Sequence, residues 1–256
     1  MIYFVIYKWY NRKRGSNMVK KYKRNSEYSY SLGTTLTFEL LNAKPDMVTK
    51  VYLHPDFKHD ETYDKLISLC DKYDIVYEVS IKPFNILSDK ENCYVIGEFK
   101  KYESIIENTN HVVLVNPSDA GNMGTIMRSS LGFGIKNLVV ISPAVDHFNP
   151  KVIRSSMGAI FSMNVKYYDD FNEYIKEYPN RDIYTLMLQA KESLVEVPKT
   201  ENHFSLVFGN EATGLPREFL QIGTPVIIKH SHAIDSLNLP IAVSITLYEF
   251  TKKYFN

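Results

Sequence analysis

Three short stretches hold the residue types that could do chemistry: NPSDAGNMGTIMRSS (116–130), GNEATGLP (209–216) and HSHAIDSLN (230–238). Each is rich in Gly and small polar residues, and each follows an apolar run: HVVLV (111–115), SLVFG (205–209) and PVIIK (225–229). One Gly-x-x-Gly after a strand is as often mere turn chemistry. Three such loops leaving the same edge of one sheet point to a ligand site. No G-x-G-x-x-G or G-x-x-x-x-G-K-[ST] is present, which disfavours NAD binding or a Walker-type ATPase. No G-x-S-x-G elbow or Ser/His/Asp order appears either. His230 and His232, two apart, share one face of an extended segment; with no third ligand in view they argue against a metal site. Arg128 is carried one turn into the helix-like segment after the first loop, a cation held near the same edge.

The elements that must position these loops are buried strands alternating with helices. Continuous apolar runs mark strands covered on both faces: HVVLV, NLVVIS (137–142), IYTLML (183–188), SLVFG and PVIIK. Between them lie helix-like segments at 122–132, 150–160, 169–178 and 215–221, and a last helix at about 236–253. The pattern is α/β, a doubly wound parallel sheet. In such sheets ligands bind beyond the C-terminal ends of the strands. Residues 25–105 read as a smaller α/β unit, with a helix at 31–45, a strand at 48–54, a helix at 61–74, and strands at 75–80 and 93–99.

Composition bounds the class. A chain of 256 residues, 45% hydrophobic and 23% charged, has an ordinary soluble globular balance and allows one large domain or two small ones. No apolar run approaches the roughly 20 residues of a membrane helix. IYFVIY (2–7) is too short to span and lacks a signal-peptide cleavage site. Two isolated cysteines, Cys70 and Cys93, argue against a disulfide scaffold and fit a reducing cytoplasm. Of the 30 Lys and Arg, 8 fall in the first 24 residues, which hold no acid; the rest of the chain sets 22 against 29 Asp and Glu. Residues 1–24 therefore read as a flexible basic arm suited to a polyanion such as RNA, with a solvated tail as the plain alternative. Met18, followed by VKKYKRN, is a second candidate start that would remove half of this charge.

The segments NPSDAGNMGTIMRSSLGFG (116–134), LVFGNEATGLP (206–216) and IIKHSHAIDSLN (227–238) resemble, in order and spacing, the three motifs of the SpoU (TrmH) family of RNA ribose 2′-O-methyltransferases in the SPOUT superfamily. NPKVIRSSMGAIF (149–161) is similar to the segment between the first two motifs. Residues 25–105 resemble, more loosely, the L30e-like substrate-binding domain of several members. The resemblance implies a catalytic domain over 106–256 with a deep trefoil knot, S-adenosyl-L-methionine as cofactor, no metal, and a homodimer whose sites draw on both subunits. It places the cofactor contacts on Gly209, Ile228 and Leu237. Arg128, Asn122, Glu211, Ser236 and Asn238 fall on the catalytic positions. Arg128 would anchor the RNA phosphate by its fork geometry; arginine's pKa above about 12 makes it an awkward base. Glu211 would orient Arg128 or tie down loop backbone, and Ser236 also reads as the N-cap of the last helix. Ribosomal RNA is favoured over transfer RNA, because the extra domain resembles those of ribosomal RNA methylators. The third motif departs from the family pattern at Lys229, His230 and His232, with Pro240 in the first turn of the helix. That departure keeps a second reading open, a non-catalytic RNA-binding protein retaining the fold.

Overall fold

The computed structural model describes residues 19–88 and 92–255. The chain divides into two compact units, one ending at Lys101 and the other beginning at Tyr102.

The first unit is built on four strands, β1 (Tyr28–Leu32), β2 (Val48–Leu53), β3 (Tyr77–Val79) and β4 (Val95–Lys100), in the order β1-β4-β2-β3. β4 runs antiparallel to β1 and β2, and β2 pairs β3 in parallel. Helices α1 (Thr34–Ala43), α2 (Glu61–Lys72) and α3 (Lys82–Leu87) complete it. Strand alternation divides the apolar residues between two clusters. Val51, Leu53 and Val95 join Leu41, Leu66 and Cys70 in one; Tyr52 and Ile96 join Tyr30 and Phe84 in the other. Asp60 starts α2 by accepting from the N–H groups of Thr62 (2.9 Å) and Tyr63 (3.2 Å).

Two expectations change here. The helix expected over 31–45 starts only at Thr34, because Ser31 and Leu32 belong to β1. That strand carries no apolar run because one of its two buried faces is made of Ser29 and Ser31, small and polar yet fully buried. The Ser31 hydroxyl lies 2.9 Å from that of Thr37. Residues 1–18 of the expected arm lie outside the described residues. The six that follow are described, and Val19 and Tyr22 pack against the Tyr30 cluster rather than standing free.

The second unit carries seven strands: β5 (His111–Val115), β6 (Asn137–Ile141), β7 (Asn164–Tyr168), β8 (Asp182–Leu186), β9 (Glu192–Ser193), β10 (Phe204–Phe208) and β11 (Thr224–Ile227). Their order is β7-β6-β5-β10-β8-β11-β9, and every pairing is parallel. β5, β6 and β10 are buried along their whole length. The missed strands, β7 and β9, are the two sheet edges, where half exposure removes the apolar run. The helices are α4 (Ala120–Gly132), α5 (Pro150–Ser155), α6 (Phe171–Glu177) and α7 (Leu239–Thr251). The helices expected at 150–160 and 215–221 shrink to one short helix and single 3-10 turns, Ala159–Ser162 and Arg217–Gln221. From β5 the chain winds outward through β6 and β7, then crosses to β8 on the far side of β10. The winding reverses between β5 and β10, the place where an open sheet leaves a crevice.

At the N-terminal ends of these same two strands a polar network is sealed in. The His111 ring lies 2.7 Å from the Glu107 carbonyl through Nε2 and 2.9 Å from the Tyr174 hydroxyl through Nδ1. A carbonyl only accepts, so Nε2 carries the proton and Nδ1 accepts from Tyr174. Ser205 lies 2.6 Å from the Tyr174 hydroxyl, and Arg181 donates to both oxygens at 3.2 Å and to Asn108 at 3.0 Å. Arg181 is buried over the ring of Tyr178 at 5.0 Å, and among the described residues no carboxylate pairs with it.

Candidate functional site

At the C-terminal edge the loops after β5, β6 and β10 are tied to one another by side-chain amides and one carboxylate. Asn116 adopts a left-handed φ of 54° and donates to the Ser142 carbonyl at 2.8 Å, joining the loops after β5 and β6. Asn210 donates to the Asn116 carbonyl at 2.8 Å and accepts from the Ala212 N–H at 2.9 Å, which fixes the turn after β10.

Glu211 reaches back to the first loop. Its carboxylate accepts from the Ser118 N–H (3.1 Å), the Ser118 hydroxyl (2.9 Å), the Asp119 N–H (3.1 Å) and the Asn122 amide (3.3 Å). Burial raises its pKa, but the N–H groups of Glu211 itself, Ser118 and Asp119 outweigh burial and leave it below the usual value. Asp119 in turn caps α4 by accepting from the Asn122 N–H at 2.7 Å. The Glu211 oxygens are thus engaged by backbone and side-chain donors of the first loop. No hydrogen bond joins Glu211 to Arg128.

A cavity of about 220 Å³ lies between the loops after β8, β10 and β11. Gly209, Glu211, Ile228, Ser236 and Leu237, expected from the sequence as site residues, all line it, and so does His230. Ile228 and Leu237 supply apolar walls, and the loop after β10 supplies backbone edges. Gly209 has a particular reason to lack a side chain. A Cβ there would overlap the backbone of Gly214 and Leu215, so the close approach it permits is within its own loop.

The remaining candidates lie apart. Arg128 is exposed on α4, does not line this cavity, and has no hydrogen-bond or ion-pair partner among the described residues. Asn122 joins the site only through Glu211. Asn238, not Ser236, is the N-cap of α7, because the helix begins at Leu239 with Pro240 in its first turn. The Asn238 carbonyl accepts from the Ile241 and Ala242 N–H groups, both at 3.0 Å, and its side chain caps nothing. In the altered third loop Lys229 pairs with Glu196 at 3.1 Å, and His230 Nδ1 donates to the Ile228 carbonyl at 2.9 Å. Sequence reasoning missed Asn116, Ser118 and Asn210; the one signal for them was the placing of Asn and Ser just after buried strands. No cluster of three metal-type side chains occurs among the described residues, and no helix there is long and apolar enough to cross a membrane.

Residues 109–248, more than half of the chain and all three tied loops, match the model of the SpoU rRNA Methylase family. The chain belongs to this family. It is 29% identical over 141 residues to an uncharacterized tRNA/rRNA methyltransferase of Synechocystis, a match covering 54% of this chain and 51% of that protein. It is 29% identical over 133 residues to a 23S rRNA guanosine 2′-O-methyltransferase of Bacillus subtilis, covering 51% of this chain and 53% of that one. The chain thus spans about half the length of these curated relatives. The crystal structure of an AdoMet-bound rRNA methyltransferase from Sinorhizobium meliloti superposes with a TM-score of 0.76 at 21% identity, over 89% of this chain and 88% of that one. At that identity the likeness shows the fold.

Proposed function

We propose that this SpoU-family chain methylates a ribose 2′-hydroxyl in structured RNA, ribosomal RNA before transfer RNA, with S-adenosyl-L-methionine as methyl donor. The observation that carries this reading is the cavity at the sheet's C-terminal edge, walled by the second and third family motifs and tied to the first by Glu211. Apolar walls from Ile228 and Leu237 beside the backbone of Gly209 suit a purine face and its polar edge. When bound, S-adenosylmethionine supplies an electrophilic sulfonium methyl. The protein's own work is to align the hydroxyl, exclude water and receive its proton. Arg128, without an acidic partner among the described residues, anchors the phosphate beside the target ribose. Asn122, Ser236 and Asn238 orient the sugar, and Glu211 holds the first loop against the second.

Arg128 lies off the cavity of its own chain, so the reading includes a homodimer in which one protomer's Arg128 serves its partner's cavity. Support comes from α7, where Ile241, Ile245 and Tyr248 recur at helical spacing and stand exposed. Also part of the proposal are the trefoil knot through the cavity loops, an L30e-like role in RNA recognition for residues 25–105, and a cytoplasmic location. The loose reading of the altered third loop, an RNA-binding protein without catalysis, loses ground because Lys229 and His230 are accommodated while Ile228 and Leu237 still wall the cavity. The test is calorimetric titration with S-adenosylmethionine and S-adenosylhomocysteine, followed by labelled methyl transfer to ribosomal and transfer RNA. Absence of both cofactor binding and methyl incorporation rejects the enzyme; RNA binding without either supports the non-catalytic protein.

A further inference from the structure

The segment between the first two motifs, NPKVIRSSMGAIF, has no part in the cavity, yet it is built against the helix that carries Arg128. α4 and α5 touch at the backbone: a Cβ on Gly124 would overlap Ser155 Oγ, the Val152 carbonyl and the Ser156 nitrogen. Arg128 lies one turn further along the same face of α4, about 6 Å from that crossing by helical rise. Lys151 and Arg154, one turn apart, are exposed on α5. Arg154 has no hydrogen-bond or ion-pair partner among the described residues. Lys151 approaches only Asp119, at 3.8 Å and with both side chains about half exposed, a pairing that water and salt screen. The local carboxylates are otherwise occupied, Asp119 in capping α4 and Glu211 in holding Ser118 and Asp119.

A second observation concerns Met157, the residue just after the C-cap of α5. Among described non-glycine residues only Asp74, Asn116 and Met157 have positive φ, and the first two are types that tolerate it. Met157, at φ 51°, is not such a type; glycine stands one residue later, at Gly158. The turn is held by the Met157 N–H on the Arg154 carbonyl (3.1 Å) and the Gly158 N–H on the Ile153 carbonyl (3.4 Å). The outcome is a large apolar side chain 46% exposed, three residues after Arg154 and six after Lys151.

We propose that Lys151, Arg154 and Met157 form an RNA-binding clamp next to the Arg128 helix, taking the single-stranded nucleotides that flank the methylated one. Lys151 and Arg154 meet consecutive phosphates, whose spacing matches one helical turn. Met157 lies against the face of an unstacked base, a contact that tolerates any sequence. The clamp rests on the reading of the chain as an RNA enzyme and adds a surface outside its cavity.

The test uses the full chain, bulk ribosomal RNA across a salt series, and S-adenosylhomocysteine titration on the same preparations. Arg154→Ala is expected to weaken RNA binding about tenfold and to lower the slope of log K against log salt by about one. Met157→Asn, which keeps a residue tolerant of positive φ, is expected to weaken RNA binding about fivefold with an unchanged slope and an unchanged melting temperature. Both variants are expected to hold S-adenosylhomocysteine as the parent does. RNA affinity within twofold of the parent in both variants overturns the clamp, as does a parent that binds no RNA. A parent that binds RNA through these residues but no S-adenosylhomocysteine keeps the clamp and rejects the methyltransferase.

Discussion

β5 and β10 lie side by side, and their two ends are treated in opposite ways. At the start of the pair, His111 and Ser205 are fully buried in a network with Tyr174 and Arg181. At the finish, the chain opens into loops that leave a cavity of about 220 Å³ and set Arg128 and Asn238 in solvent. The difference is one of committed against uncommitted polar groups. A buried donor without a partner costs about 1–3 kcal/mol, so the sealed end satisfies nearly all of its groups and contributes stability. The open end keeps donors free, which costs little in water and leaves them available to a ligand. Substitutions at one end are therefore expected to move stability and spare activity, and those at the other the reverse.

The largest expected effect is at the open end. Arg128→Ala should lower methyl transfer by roughly 10²–10³-fold, about 3–4 kcal/mol of barrier, with the melting temperature unchanged. A matching loss of stability would place Arg128 on the structural side and break the contrast. Next comes the sealed end, read through pH. Burial, with Arg181 nearby, pushes the His111 pKa from 6.5 down to about 4, against a smaller upward pull from the Glu107 carbonyl. The unfolded chain takes up this proton near 6.5 and the folded chain only near 4, so the folded state gains from neutrality above that window. Its contribution, about 3 kcal/mol, is full above pH 6.5 and is lost as the pH falls to 4. Protonation there would remove the Nδ1 acceptor from Tyr174 and set a second cation beside Arg181. Urea titrations at stepped pH on the parent and on His111→Gln should show this acid-sensitive limb only in the parent.

Glu211→Gln sits between the two ends, because Glu211 lines the cavity and also staples the loops. The amide keeps one acceptor and loses the charge, an expected cost of about 1–2 kcal/mol. Its pKa is depressed, so the parent's advantage holds above the ordinary carboxylate range and fades as pH falls through the folded value. Chemical denaturation at neutral pH and at about pH 3 should show a gap between parent and variant that closes in acid.

Legibility in the sequence followed burial and distance. β5, β6 and β10 are buried on both faces and therefore read as unbroken apolar runs. β1 has Ser29 and Ser31 on one of its two buried faces, and β7 is a half-exposed edge, so neither carries that signal. Of the eight site residues expected, five line the cavity, because strand order brings the loops after β10 and β11 to one edge. What Glu211 holds could not be read, since Ser118 is 93 residues away in the chain. Nor could the network of His111 and Arg181, which presents as single polar residues at strand starts.

The smallest effect tests whether the third loop is held like the second. The loop after β10 is fixed by side chains that are at least partly buried. The loop after β11 has Lys229 on Glu196, with the two side chains 65% and 67% exposed. An exposed pair of this kind contributes under about 0.5 kcal/mol, because water screens the charges and two long side chains must be ordered. Lys229→Ala should leave the melting temperature unchanged and S-adenosylmethionine affinity within twofold of the parent. The wall formed by Ile228 and Leu237 would then be compliant, shaped by the ligand rather than set in advance. A tenfold loss of affinity on removing Lys229 would show instead that the ion pair preorganises this wall, and that both sides of the cavity are rigid before anything enters it.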